Sequence, residues 1–250
     1  MIDERTKALR NRFDDSAKTF QNSDFIYTLT AESLLARIEP FKIAPKVILD
    51  LGCGLGQFFA LLKHHYPNTD IIALDSSVER LKQGIFDQSV CADAHQLPFA
   101  FQSFDMVVSH LMLHWILDLP RLLSEIKRVL KPKGVFAFSY YGPDTLREIG
   151  EPWSPFIDMH DVGDALVNAG FRDPIVDMER LNIEYDSFKD AEVDLLNTAD
   201  NELVSLSGSP NLKLVTYEIV YGHAWLESHT FTADKQGFVN IPLHSLRKRK

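Results

Sequence analysis

The sequence predicts an α/β protein built around a doubly wound, mostly parallel sheet of seven strands. Short apolar runs rich in β-branched residues alternate along the chain with amphipathic segments of helical period. A glycine-rich turn at residues 52–56 joins the first apolar run to the helical segment after it. Such alternation places helices on both faces of a parallel sheet, and the turn is typical of a Rossmann-like crevice that binds a nucleotide.

The individual elements follow from where each apolar pattern starts and stops. Helices are predicted at residues 30–38, 57–65, 77–83, 119–130 and 161–169. Strands are predicted at residues 47–51, 71–75, 89–92, 104–110, 135–140, 175–185 and 214–225. The turn K131-P-K-G134 is predicted to close the helix before it, and the alternating last strand is predicted to pair antiparallel.

Length and composition indicate a soluble globular enzyme. The chain has 250 residues, of which 45% are hydrophobic and 24% charged, and its formal net charge is −9. The negative charge argues against nucleic acid as the main partner, and no apolar run is long enough to span a membrane. Cys53 and Cys91 stand apart in apolar contexts, so we expect reduced thiols in a cytoplasmic protein and neither a disulfide nor a metal site.

The turn V47-I-L-D-L-G-C-G-L-G-Q-F58 narrows the choice of nucleotide. A dinucleotide fingerprint would need a third glycine where this chain has Gln57, and the Gly-Lys-Ser/Thr of a phosphate-binding loop does not occur. Asp75 ends the next strand, where a carboxylate accepts hydrogen bonds from ribose hydroxyls. The alternative is a turn that only connects a strand to a helix.

The segment D50-L-G-C-G-L-G56 resembles motif I of the S-adenosylmethionine-dependent methyltransferases. This resemblance implies S-adenosylmethionine as the cofactor, with its methionine end at the glycines and its ribose at Asp75. The expected cofactor contacts in this region are Asp50, Gly52, Cys53, Gly54, Gly56, Asp75 and Ser76.

Two later segments match further parts of such a site. In A92-D-A-H-Q-L-P-F99, Asp93 and Ala94 are expected to meet the adenine, although a turn aspartate is the alternative. After the fourth strand, His110 is expected beside the methionine moiety and His114 is a catalytic candidate. Both histidines also suit a structural role in the core.

Three segments are similar to the malonyl-acyl-carrier-protein O-methyltransferases of biotin synthesis, namely Y141-G-P-D-T-L-R-E148, residues 156–171 and T216-Y-E-I-V-Y-G-H-A-W225. This resemblance implies methylation of the free carboxylate of malonyl-acyl carrier protein or malonyl-CoA. The segment R12-F-D-D-S-A-K-T-F20 is similar to that family's opening helix, which closes over the cofactor. Phe13 and Phe20 are seven residues apart and are expected to face the cofactor from it, although an ordinary core helix fits equally.

These resemblances imply a domain plan. Residues 1–40 are expected to form an N-terminal helical lid, residues 41–226 the cofactor-binding domain and residues 227–250 a tail. Small cap insertions are expected near residues 141–160 and 186–212. The chain departs from the family by having Phe20 where a tyrosine is usual, and by shorter segments after Arg147 and after Tyr185.

The implied chemistry requires few groups. A malonyl carboxylate has a pKa near ~4, so it is ionised at neutral pH and needs no general base. Arg147 is the candidate for a carboxylate clamp, with an exposed helix arginine as the alternative. An acidic carrier protein would dock on basic residues, for which Arg121, Lys127 and Arg128 with Lys131 and Lys133 are candidates; a solvated helix face is the alternative.

Two other functions are open to the sequence. A related mitochondrial assembly factor shares the methyltransferase core and the D-T-L segment but hydroxylates an arginine of a respiratory-complex subunit. The other is a non-catalytic scaffold with a trimmed cap.

Overall fold

The computed structural model describes residues 4–17, 24–149, 156–187 and 213–227. Seven strands among these residues form one sheet, with the order β3-β2-β1-β4-β5-β7-β6. The strands are β1 Val47–Leu51, β2 Asp70–Asp75, β3 Ser89–Cys91, β4 Phe104–Ser109, β5 Leu130–Tyr141, β6 Phe171–Glu184 and β7 Leu214–Leu226. β1 to β5 pair in parallel, whereas β7 runs antiparallel to β5 and β6. The predicted mostly parallel seven-stranded α/β fold is confirmed.

Helices cover both faces of this sheet. They are α1 Glu4–Ser16, α2 Asp24–Ile38, α3 Gln57–His65, α4 Val78–Gln83, α5 Leu119–Val129 and α6 Met159–Ala169. Side chains alternate along β1, so Ile48 packs on the face that holds α2 and α3, while Leu49 and Leu51 pack on the face that holds α5 and α6. None of the described helices is long and apolar enough to cross a membrane.

Two elements begin earlier than predicted, α2 at Asp24 and β6 at Phe171. Two others differ in form. The segment K131-P-K-G134 lies inside β5 as a bulge, because Phe104 pairs with Leu130 and Met106 pairs with Val135. β7 is buried without interruption from Val215 to Ala224, where the sequence suggested alternation, because it lies between β5 and β6 with both faces covered.

Some expected features fall outside the described residues. Phe20 lies there, and α1 ends at Ser16. The same holds for residues 150–155 and 188–212, which contain most of the expected cap insertions, and for the tail from residue 228 onward.

Candidate functional site

A cavity of about 320 Å³ lies at the carboxyl ends of β3, β2, β1 and β4, and residues of α1 line part of it. This is the edge at which parallel α/β sheets bind ligands, because the loops there diverge toward opposite faces. Ten of the predicted cofactor contacts line it: Phe13, Asp50, Gly52, Cys53, Gly54, Asp75, Ser76, Asp93, Ala94 and His110.

The glycines of the turn after β1 serve different purposes. Gly54 has a φ of +56°, and a Cβ there would meet nothing within 4 Å, so its backbone lies open to the cavity. Gly56 has a φ of +93° and does not line the cavity; a Cβ there would lie 2.8 Å from the Phe86 ring. Gly54 therefore leaves room for a ligand, whereas Gly56 leaves room for a side chain of the protein.

Asp75 is held by the turn that it faces. One carboxylate oxygen accepts a hydrogen bond from the Gly54 backbone N–H at 2.9 Å, and the other accepts one from the Ser77 N–H at 2.8 Å. Each carboxylate oxygen accepts more than one hydrogen bond, so ribose hydroxyls would add to these contacts. Two backbone N–H groups thus fix the orientation of the carboxylate.

Asp50 is the opposite case. Its carboxylate is buried in the cavity wall and has no hydrogen-bond partner among the residues that the structure describes. Burial, with a smaller contribution from the negative charge of Asp75, raises the pKa of Asp50 to about 8. A buried carboxylate of this kind fits a ligand that brings a positive charge.

Asp93 forms a tight turn at the β3 end of the cavity. Its Oδ1 accepts the His95 backbone N–H at 2.8 Å and lies 2.9 Å from His95 Nδ1. Asp93 is therefore a turn aspartate, and it lines the cavity as well.

His110 connects three elements. Its Nδ1 lies 2.7 Å from Ser139 Oγ on β5, and its Nε2 lies 3.0 Å from the Tyr27 carbonyl oxygen on α2. Burial lowers the pKa of His110 to about 4, so the ring is neutral at pH 7. The carbonyl can only accept, so Nε2 carries the proton and Nδ1 accepts from the serine. His110 lines the cavity but is held by structural hydrogen bonds.

His114 lies behind the cavity wall. Its ring packs against Trp115, Tyr141 and Phe156, with centroids 4.9, 4.8 and 6.2 Å away. Neither ring nitrogen has a hydrogen-bond partner within the described ranges. Burial, and then the positive charge of Arg12, lower the pKa of His114 to about 3. The imidazole is therefore neutral at pH 7 and lies in an aromatic cage.

The helix α1 is tied to the turn after β2. Arg10 Nε donates to the Ser76 carbonyl oxygen at 2.7 Å, and Asp14 Oδ1 accepts from Ser77 Oγ at 2.5 Å. Phe13 meets the Trp115 ring edge-on at 5.3 Å. The sequence did not single out Arg10, although it precedes Phe13 by three residues and so belongs to the same helix face.

Arg147 lies away from the cavity. It follows β5 in a short 3-10 turn, its side chain is 53% exposed, and its Nε lies 3.4 Å from Glu148 Oε1. The segment before it runs along β7, where Gly142 N–H donates to the Glu218 carbonyl at 2.8 Å. Another arginine of this region, Arg180, pairs with the carboxylate of Asp144. The cavity does not include Arg147.

Four of the five basic residues of the predicted docking face make internal hydrogen bonds or ion pairs, whereas Lys133 is exposed. Lys127 Nζ donates to the Ala169 carbonyl at 2.7 Å, and Arg128 donates to the carbonyls of Leu97 and Phe99. Lys131 pairs with Asp105 at 2.9 Å, on the sheet edge opposite the cavity. Arg121 reaches the cavity wall, because its Nε donates to the carbonyl of the lining residue His95 at 3.1 Å.

Both cysteines are free thiols, and Cys53 is buried while Cys91 is exposed. Within the described ranges no group of three or more His, Cys, Asp or Glu side chains is placed to hold a metal ion.

The fold and this cavity define the chain as a methyltransferase-type α/β protein. The family profile described as Methyltransferase domain matches residues 49–138, which run from β1 to within β5. More specific relatives cover nearly the whole chain. A malonyl-[acyl-carrier protein] O-methyltransferase of Methylovorus sp. is 36% identical, over 87% of this chain and 88% of that protein. One of Halorhodospira halophila is 33% identical, over 98% and 96%. The chain belongs to this family, as its later motifs suggested.

Solved structures agree on the fold. The YcgJ protein of Bacillus subtilis superposes with a TM-score of 0.59 at 16% identity, covering 79% of this chain and 99% of that chain. Phosphoethanolamine N-methyltransferase 2 of Haemonchus contortus, solved with S-adenosyl-L-methionine, gives 0.61 at 16% identity, covering 86% and 60%.

Proposed function

We propose that this protein transfers the methyl group of S-adenosylmethionine to the free carboxylate of a malonyl thioester on acyl carrier protein, in biotin precursor synthesis. The support is membership of the family along nearly the whole chain, together with the cofactor cavity. The observation that carries the cofactor part is Asp50, a buried carboxylate in the cavity wall without a partner among the described residues.

S-adenosylmethionine suits this wall group by group. Its α-ammonium supplies the positive charge that Asp50 lacks, and the open backbone at Gly54 leaves space for the methionine chain. Its ribose hydroxyls donate to Asp75, which the turn already holds in place. Asp93 and Ala94 then border the adenine at the β3 end.

S-adenosylmethionine would supply a methyl group on a positively charged sulfur. Transfer would form a bond between a malonyl oxygen and that carbon and break the carbon–sulfur bond, whose electron pair would stay on sulfur. No proton moves, so neither His110 nor His114 is needed as a base. His114 is buried and neutral, and together with Tyr141 and Phe156 it would form an apolar layer behind the cavity wall on the acceptor side. Such a layer would keep water away from the region where the carboxylate meets the methyl group.

A carrier protein that delivers the malonyl group must dock close to the cavity. Arg121 is the basic residue of α5 that reaches the cavity wall, so we place the acidic carrier beside it and not along the whole of α5. Malonyl-CoA carries the same acyl group and is the alternative methyl acceptor. We place the reaction in the cytoplasm.

The direct test incubates the protein with methyl-labelled S-adenosylmethionine and malonyl-acyl carrier protein, malonyl-CoA or acetyl-acyl carrier protein. We expect label on both malonyl thioesters, as an ester that base hydrolyses to methanol, and none on the acetyl control. Expression in a biotin auxotroph that lacks its methyltransferase should restore growth. Absence of label from both malonyl substrates would refute the proposal. The arginine hydroxylase and the non-catalytic scaffold would then be the functions to test.

A further inference from the structure

The topology of the sheet fixes which end of the cavity meets the acceptor. The cavity runs from Asp93 after β3, past Asp75 and Asp50, to Trp115 after β4. S-adenosylmethionine held with its adenine at Asp93 and its α-ammonium at Asp50 would leave the β4 side of the cavity for the acceptor. The next strand along the sheet is β5, which ends at Tyr141. The acceptor carboxylate therefore approaches across the ends of β4 and β5.

An anion that enters this region requires a compensating cation. Burying a carboxylate without one costs several kcal/mol. His114 does not supply the charge, because burial and its neighbours keep its pKa at about 3 and leave the ring neutral. The group must therefore be a lysine or arginine that reaches the ends of β4 and β5.

Two arginines on the β5 and β6 side are poorly placed for this. Arg147 is 53% exposed, and its nearest carboxylate is that of Glu148. Arg180 pairs with Asp144 and lies 4.0 Å from Glu218, so two protein carboxylates already balance its charge. A third anion at Arg180 would meet the repulsion of both.

Arg12 approaches from the other side, on α1. Its guanidinium carbon lies over the Trp115 ring, 5.1 Å from the centroid, and its charge acts on His114. Its neighbour Phe13 lines the cavity and meets the same Trp115 ring at 5.3 Å. Arg12 thus lies between Trp115, which lines the cofactor cavity, and the aromatic cage around His114.

We propose that Arg12 binds the acceptor carboxylate and selects a free acid over a neutral acyl end. The inference rests on the proposed function. Trp115 orients the guanidinium, whose in-plane N–H donors hold one oxygen of the carboxylate while the other faces the methyl carbon. Because α1 also covers the cofactor, the same helix completes both halves of the site.

The test compares Arg12→Met and Arg12→Lys with Arg172→Met. Arg172 pairs with Glu227 at the opposite edge of the sheet, so its loss is a matched control for removing an arginine. Steady-state rates give KM for malonyl-acyl carrier protein, and calorimetry gives Kd for S-adenosylmethionine. Inhibition by a malonyl-pantetheine analogue with a non-hydrolysable linkage is compared with inhibition by its neutral terminal amide.

We expect Arg12→Met to raise KM by about 10- to 100-fold, as for the loss of a charge-assisted hydrogen bond, with Kd for S-adenosylmethionine within about twofold of wild type. Arg12→Lys should recover part of this loss. Wild type should prefer the acid analogue to the amide, and Arg12→Met should bind both equally.

The outcomes separate two failures. If wild type methylates malonyl-acyl carrier protein but Arg12→Met keeps its KM and its preference for the acid, Arg12 is not the carboxylate-binding residue and the proposed function stands. The role of Arg12 is equally refuted if KM and Kd rise together, because Arg12 would then only hold α1. If wild type methylates no malonyl thioester, the proposed function fails and the role of Arg12 fails with it.

Discussion

Wild type should release a proton when it binds its cofactor, and replacing Asp50 with asparagine should abolish this release. With a pKa of about 8, only about one-tenth of Asp50 is ionised at pH 7 in the cofactor-free protein. The α-ammonium of the cofactor pairs with the ionised form, so binding at pH 7 should release about 0.9 proton. Ionising Asp50 at pH 7 costs about 1.4 kcal/mol of binding free energy. The affinity for the cofactor should therefore rise about tenfold between pH 6 and pH 7.

Calorimetry in buffers with different ionisation enthalpies measures this proton directly. S-adenosylhomocysteine is a stable ligand for the assay because it has the same amino-acid, ribose and adenine groups. Asp50→Asn should bind about tenfold or more weakly at pH 7, with no proton release between pH 6 and 7. The surface variant Asp87→Asn, which loses an exposed pair with Lys63, should release the proton as wild type does. Proton release that persists in Asp50→Asn would refute the assignment of the cavity-wall carboxylate to the ammonium.

Three further perturbations follow from the same geometry. Both glycines have a positive φ, so either alanine should lower the melting temperature, and Gly56→Ala should lower it more because its Cβ meets a ring at 2.8 Å. Gly54→Ala should in addition weaken cofactor binding because Gly54 lines the cavity; an unchanged Kd for this variant would contradict the assignment. Arg10→Met should speed cofactor dissociation in stopped-flow measurements by releasing α1 from the turn after β2, with Arg172→Met as the control, and an unchanged rate would show that α1 is held elsewhere. His114 has a folded-state pKa of about 3 and an unfolded value near 6.5, so between them only the unfolded chain binds the proton and stability falls as pH drops. Urea unfolding at pH 6.5 and pH 4 measures this effect. Between these pH values the free energy of unfolding of wild type should fall by about 3 kcal/mol more than that of His114→Phe. An equal fall in both proteins would argue against a neutral buried imidazole.

The cofactor half was predictable from local signals. β1 and α3 occupy the predicted residues 47–51 and 57–65, because an unbroken apolar run, a glycine turn and a new helical period succeed one another within 19 residues. Asp75 and Asp93 were placed at the cavity for a similar reason, since carboxyl ends of parallel strands meet at one edge.

Features that depend on distant contacts were not visible in the sequence. The bulge at K131-P-K-G134 has the composition of a turn, and only pairing with β4 shows that the strand has already begun. Arg10 reaches a carbonyl 66 residues away, which no local period reports. His110 and His114 stand four residues apart with the same chemistry, yet one meets a serine and a carbonyl while the other meets three aromatic rings.

The position of β7 in the sheet determines which strands can pair while the chain is still being synthesised. Among the described strands β6 pairs only with β7, so a nascent chain that stops before residue 214 can assemble β1 to β5 but leaves β6 without a neighbour. The segment after β5 also waits, since Gly142 and Leu146 donate to carbonyls of β7. The strands that carry the cofactor cavity, β1 to β4, can therefore fold first. β7 then pairs with β5 and β6 and completes the sheet.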